Sequence, residues 1–162
     1  MFKKKYQENY LHYEEVKTSF LVIATYIIGA MILAILVLYP GSWQEWFDSI
    51  SVKILFTILI FFDLVLFWSY SQLTIKLNDN YLKLSFGIFK KKINLKSIKS
   101  CQIEDYDKNI FKGYGFRFGT DKSVGFLANS STGIRLKLNE RDIYFSTNQP
   151  SKIYQIINSK IL

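Results

Sequence analysis

Few residues in this 162-residue chain are of types that do chemistry, and their spacing brings no catalytic set together. His12 is the one histidine. It stands in a mixed-charge stretch beside Glu14 and Glu15 and reads as solvated. Cys101 is the one cysteine, so the chain can form neither an internal disulfide nor a cysteine metal cluster. A lone thiol inside a strand reads as a small core residue. Gly113, Gly115 and Gly119 could cradle a phosphate only with a strand before them and a helix after; no helix is expected there, so they read as turn and bulge glycines. No catalytic residue, metal ligand set or cofactor site emerges, and enzyme activity is not expected.

Two features remain that could make contacts. The first is the run Lys90-Lys91-Lys92, followed by Lys96 and Lys99. In an extended strand Lys90 and Lys92 share one face and Lys91 takes the other. Such a run either guards an edge strand against aggregation or lies against an anionic leaflet, at roughly 1 kcal/mol per lysine. Arg117 is a further candidate for an acidic partner. The second feature is Asp63, a carboxyl inside an otherwise apolar stretch, where an ionisable group faces another helix or a cavity. Antiparallel packing would bring Thr25, Tyr26 and Gly29 to its depth, and Ala30 and Ala34 offer a small-residue approach surface.

The elements that must position these residues are legible from hydropathy. Ser19–Tyr39 carries no charge, and as a helix of about 32 Å it would cross a hydrocarbon core of about 30 Å. Its length, and the lack of a small-residue cleavage site after it, argue against a signal peptide. A second span is expected over Ile54–Tyr70. Between them, Trp43, Trp46, Phe47 and Ile50 fall on one face of an expected interfacial helix over 42–50. Trp43, Trp46 and Phe47 would anchor one headgroup level, and Trp68 and Tyr70 the other. Lys and Arg are concentrated outside the link between the spans, so both termini are expected in the cytoplasm of a multi-pass protein of the plasma or inner membrane.

After Ser71 the apolar period changes to two. About seven short antiparallel strands are expected: 73–77, 82–86, 88–95, 98–106, 123–128, 134–138 and 143–147. Asn78-Asp79-Asn80 makes the first turn, and 107–122 is a long turn region. Pro150 opens an amphipathic C-terminal helix with Ile153, Ile156, Ile157 and Ile161 on one stripe. The chain therefore divides into a cytoplasmic tail (1–18), a hairpin of two spans (19–70) and a cytoplasmic β domain (71–162). Sixteen Lys/Arg and seven Asp/Glu follow Tyr70, so the β domain is far more basic than the rest of a chain whose net charge is +8.

This order, with the element Gly113-Tyr114-Gly115-Phe116-Arg117, the strand at Gly133–Leu138 and the strand–turn–Pro150 helix ending, resembles the bacterial pleckstrin-homology-like (PH-like) domains of small membrane proteins. The resemblance covers Gln72–Leu162. It implies an α+β fold, an antiparallel sandwich or partial barrel capped by the last helix, and a membrane-tethered binding or scaffolding role. It transfers no ligand residue. Expected partners are the lipid bilayer and a membrane or cytoplasmic protein, with self-association open and nucleic acid not expected for want of a motif. The competing reading is a small structural or regulatory subunit of a membrane complex, contacting it through the hairpin around Asp63.

Overall fold

The strands begin earlier than the apolar pattern shows. The computed structural model describes residues 10–38 and 49–161. Its first element is a strand, β1 (His12–Lys17), whose inward residues are His12, Glu14 and Val16. Two of the three are polar, which is why this stretch reads as a solvated tail in sequence. That reading is corrected, and with it the assignment of His12 to solvent: the imidazole is 4 % exposed. The boundary of the β domain moves accordingly, because β1 pairs antiparallel with β2 (Gln72–Leu77).

Two helices lie between these paired strands: α1 (Phe20–Leu38) and α2 (Ile50–Tyr70). The hairpin is thus an excursion from a β-hairpin connection, entered at Thr18, whose N–H donates to the Ser71 carbonyl at 3.1 Å. α2 starts four residues before the expected span, at Ile50, so its 21 residues reach about 32 Å. The interfacial helix expected over 42–50, with Trp43, Trp46 and Phe47, lies outside the described residues apart from Ser49, which precedes α2, and Ile50, which begins it. Both helices are long and apolar enough to cross a membrane. No residue of α1 is buried, and of α2 only Val52 and Ser69 are. A helix apolar on every side needs apolar surroundings over its whole surface, and the rest of the described residues do not supply them.

The first sheet has the order β1-β2-β3-β4, with β3 at Tyr81–Phe86 and β4 at Phe89–Asn94. The Asn78 side chain closes the expected turn by accepting from the N–H groups of Asn80 and Tyr81. A 3-10 turn (Leu95–Ser97) leads to the second sheet: β5 (Ser100–Asp105), β6 (Gly115–Phe118), β7 (Val124–Leu127), β8 (Thr132–Lys137) and β9 (Ile143–Ser146). Its order is β5-β8-β9-β7-β6, with β7 and β9 parallel. Among the described residues nine strands therefore stand where about seven are expected. The additions are β1 and β6, the latter inside the segment read as a long turn, which also holds one short helix, α3 (Lys108–Phe111).

Leu73, Ile75, Leu77, Leu82, Leu84 and Phe86 from the first sheet meet Phe126, Ile134, Leu136 and Phe145 from the second, all at 1 % exposure or less. The last helix, α4 (Pro150–Ile161), seals this core with Ile153 and Ile157, each fully buried and worth roughly 1.5–3 kcal/mol. Cys101 joins the same core, and burial pushes its thiol up to about 11.

Candidate functional site

Three places on the protein have the geometry to bind something: the root of the helix pair, the outer face of the first sheet, and a cleft between the two sheets.

At the root, α2 is fastened to the β3–β4 turn. Ser69 is fully buried; its hydroxyl donates to the Phe86 carbonyl at 3.0 Å and accepts from the Ile88 N–H at 3.1 Å. Gly87 has φ +48°, and a Cβ there would lie 2.5 Å from Ser69, so only glycine allows this approach. Tyr70 turns under the sheet, its ring 6.0 Å from Phe86, 5.5 Å from Phe89 and 6.4 Å from Tyr26. Gly115 (φ +91°) makes room for it, since a Cβ would meet the ring at 2.6 Å. Tyr70 is therefore a junction residue between α2 and the β domain. Trp68 is 67 % exposed, and Ile88 at the turn tip is exposed beside it.

Farther along the pair, Asp63 faces α1 at Gly29, where a Cβ would come within 4.0 Å of its Oδ1. Of the two residues expected beside it, Tyr26 lies within electrostatic range of the Asp63 carboxyl. Thr25 donates to the Val22 carbonyl of its own turn, and Tyr26 packs against the rings of Phe67 and Tyr70. Among the described residues nothing hydrogen-bonds the Asp63 carboxyl. Ala34 is exposed, so Gly29 and the half-buried Ala30 provide the close approach on α1.

The outer face of the first sheet collects lysines from three strands. The register sets Tyr13 opposite Lys76, Lys76 opposite Lys83, and Lys83 opposite Lys92. The neighbouring row runs Glu15, Thr74, Ser85, Lys90. Like charges directly opposite across strands destabilise a sheet, and here three lysines stand in one row. Two rest on aromatic rings: Lys92 Nζ lies 3.9 Å from the Tyr81 ring centre, and Lys76 Nζ 5.3 Å from that of Tyr13. Glu15, the carboxylate of this face, accepts from the Tyr13 hydroxyl, and this hydrogen bond pushes the tyrosine up to about 12. Among the described residues none of the four lysines pairs with a carboxylate. Tyr13, Thr74, Lys76, Lys83, Ser85 and Lys90 line a shallow concavity of ≈ 270 Å³.

The lysine run is thus divided by the fold. Lys90 and Lys92 join the outer face as the spacing predicts. Lys91, opposite Leu84, takes the inward side of an edge strand. Lys96 lies beyond the far end of β4, next to the Asn78–Asn80 turn, as the Leu95 N–H bond to the Asn80 carbonyl shows. Lys99 bonds through its backbone to Lys137 at the start of β5. Arg117 is in the other sheet; its Nε donates to the Tyr114 carbonyl at 2.9 Å and its guanidinium covers Gly113.

The cleft, ≈ 430 Å³, opens between β4 and β6. Phe89 and Phe116 stack at 5.2 Å along it, Phe118 and Phe126 extend the apolar wall, and Lys91, Glu140 and Arg141 stand at the rim.

Two polar clusters were not foreseen from the sequence. Glu14, 7 % exposed, accepts from the Thr147 hydroxyl at 2.5 Å and the Asn148 N–H at 2.7 Å, with His12 Nε2 at 3.3 Å. It ties β1 to the start of α4 across more than 130 residues, which no local spacing could signal. Arg135 bridges Glu104 at 2.6 Å and Asp121 at 3.0 Å. Burial works to raise the Asp121 carboxyl, but hydrogen bonds from Ser123 and Arg135 outweigh it and hold the group below the usual range. Among the described residues no group of His, Cys, Asp and Glu could hold a metal ion.

No family model, curated protein or solved structure matches this chain.

Proposed function

We propose that this protein is a membrane-anchored binding module: the α1–α2 pair crosses the bilayer, and a PH-like β domain holds a protein partner or anionic lipid surface at the cytoplasmic leaflet. The observation that carries this reading is the way the helices join the sheet. A flexible tether would only keep a domain near a membrane. Here the pair leaves from between two hydrogen-bonded strands, and Ser69, Tyr70, Gly87 and Gly115 lock its root to the domain. Such a joint gives the domain a fixed attitude, which is useful when a particular face must be presented. The apolar exteriors of both helices, exposed Trp68 and Ile88 at the root, and Lys17 at the strand end all support insertion to that level. The basic surface away from the helices favours an acidic ligand or partner.

The subunit reading has one observation of its own. Asp63 lies seven residues, about 10 Å, into α2 from its Tyr70 end and has no hydrogen-bond partner among the described residues, so a donor from another membrane protein would satisfy it.

Topology is the direct test. Single cysteines at Ser49 and Ser159 in a Cys101→Ser background are probed with an impermeant thiol reagent on intact cells. Ser49 should label and Ser159 should not. Labelling at Ser159 alone would reverse the orientation, and recovery of unlabelled protein in the soluble fraction would remove the anchor.

A further inference from the structure

We propose that the outer face of the first sheet is a binding site for a phosphate-rich anion, held by Lys76, Lys83, Lys90 and Lys92 with the hydroxyl of Thr74.

Edge protection can serve for Lys90 and Lys92 on β4 but does not account for Lys76 and Lys83. Lys76 is on β2 and Lys83 on β3, and both strands are paired on two sides. A central-strand lysine guards no free edge. Solubility does not require them in register either, because opposing like charges weaken the sheet, and offsetting them would keep the same net charge. The alignment is what a multiply charged anion needs. With strands about 4.8 Å apart, the row Lys76–Lys83–Lys92 spans about 10 Å, and Lys90 adds a fourth ammonium about 7 Å along its strand. Several charges converge there on a concavity of ≈ 270 Å³ that also carries the Thr74 hydroxyl, while the Tyr13 and Ser85 hydroxyls on its walls donate to Glu15 and to the Gly87 carbonyl.

The donor set favours phosphoryl groups. Lysine acts as a compact point charge with rotatable donors, suited to phosphate oxygens. Lys92 and Lys76 rest over tyrosine rings, with Glu15, the carboxylate of this face, engaged by the Tyr13 hydroxyl, and an anion can draw both ammoniums from those rings.

A soluble anion and a lipid headgroup offer this face the same phosphate chemistry, and the nanodisc arm of the test below separates the two sources. Only this choice between sources rests on the proposed insertion of the hairpin; the site itself does not.

The test uses the full chain in neutral detergent, titrated calorimetrically with inorganic tripolyphosphate. One tripolyphosphate should bind per chain, with affinity falling as salt rises. Lys83→Gln should weaken binding at least tenfold while leaving the melting temperature in the absence of anion unchanged or higher, since it relieves two like-charge contacts. Lys96→Gln and Lys99→Gln, which remove the same charge elsewhere, should change affinity less than twofold. Absence of saturable binding, or equal losses in all three variants, would overturn the proposal. So would tighter binding of a tetraglutamate peptide than of tripolyphosphate. In nanodiscs, loss of tripolyphosphate binding on anionic but not neutral phospholipid would assign the phosphate source to headgroups, and retained binding on both would assign it to a soluble anion. Failure of the hairpin to insert would appear separately, as chain that does not enter nanodiscs yet binds tripolyphosphate in detergent.

Discussion

Glu14→Leu should release β1 from the domain without unfolding the rest. The carboxylate accepts from the Thr147 hydroxyl and the Asn148 N–H, and leucine accepts from neither. Leaving a buried donor unpaired costs about 1–3 kcal/mol, so two orphaned donors would cost up to about 6. Against this stands the relief of no longer desolvating a carboxylate, which offsets part of the loss. A net cost of about 2–4 kcal/mol to the docking of β1 is expected. The β2 ladder and buried Val16 still hold the strand, so the effect is local opening and not global unfolding. Because Thr18 and Ser71 form a directly opposed hydrogen-bonded pair, alternation puts the amides of Glu14 and Val16 in the bonds to β2. At 1.4 kcal/mol per tenfold, their hydrogen exchange should accelerate by about 30- to 700-fold, read by mass spectrometry on peptides spanning 11–18 of the full chain in detergent. Glu15→Leu, on the outer face, should leave exchange within about threefold. Acceleration below threefold in Glu14→Leu would refute the reasoning and reduce β1 to a strand held by its ladder alone.

Arg135→Gln should destabilise the domain by about 1–2 kcal/mol in a denaturant titration. That figure allows for its carboxylate partners being about a third exposed, which screens the pairs. The Asp121 carboxyl titrates lower folded than unfolded, so its contribution is present above its ordinary 3.8 and is lost as pH falls through the lower folded value. The stability gap between the parent and Asp121→Asn should accordingly close in acid below about pH 4 and stay constant above about pH 5; a gap that persists in acid would exclude the linkage. Asp63→Leu should insert and fold as the parent does, because no hydrogen bond to Asp63 is lost within the described residues and the substitution removes a charged group from an apolar helix. If a second membrane subunit pairs with Asp63, its recovery with the leucine variant should fall more than with Lys90→Gln/Lys92→Gln, and unchanged recovery would leave the subunit reading without its residue.

What the sequence determined by itself is local and periodic. Helices long and apolar enough to cross a bilayer are legible from a run of uncharged residues, because that property depends on composition over about twenty positions. Strands β2, β3 and β8 follow from alternation of apolar and polar residues, and the last helix from its proline and its isoleucine stripe. The split of Lys90 and Lys92 from Lys91 follows from the pleat. The tertiary structure alone decided the rest. β1 escaped because its buried face is His12, Glu14 and Val16, and the groups that make such burial tolerable come from Thr147 and Asn148 at the other end of the chain. Tyr70 and Trp68 look alike as aromatic residues ending a span, yet one fills the space left by Gly115 and the other stays exposed, a difference created by a strand 45 residues away. Lys76 and Lys83 read as the polar half of two alternations joined by the Asn78–Asn80 turn, with no registry between them given. Only strand register sets them side by side with Lys92, since cross-strand neighbours are chosen by pairing and not by spacing along the chain.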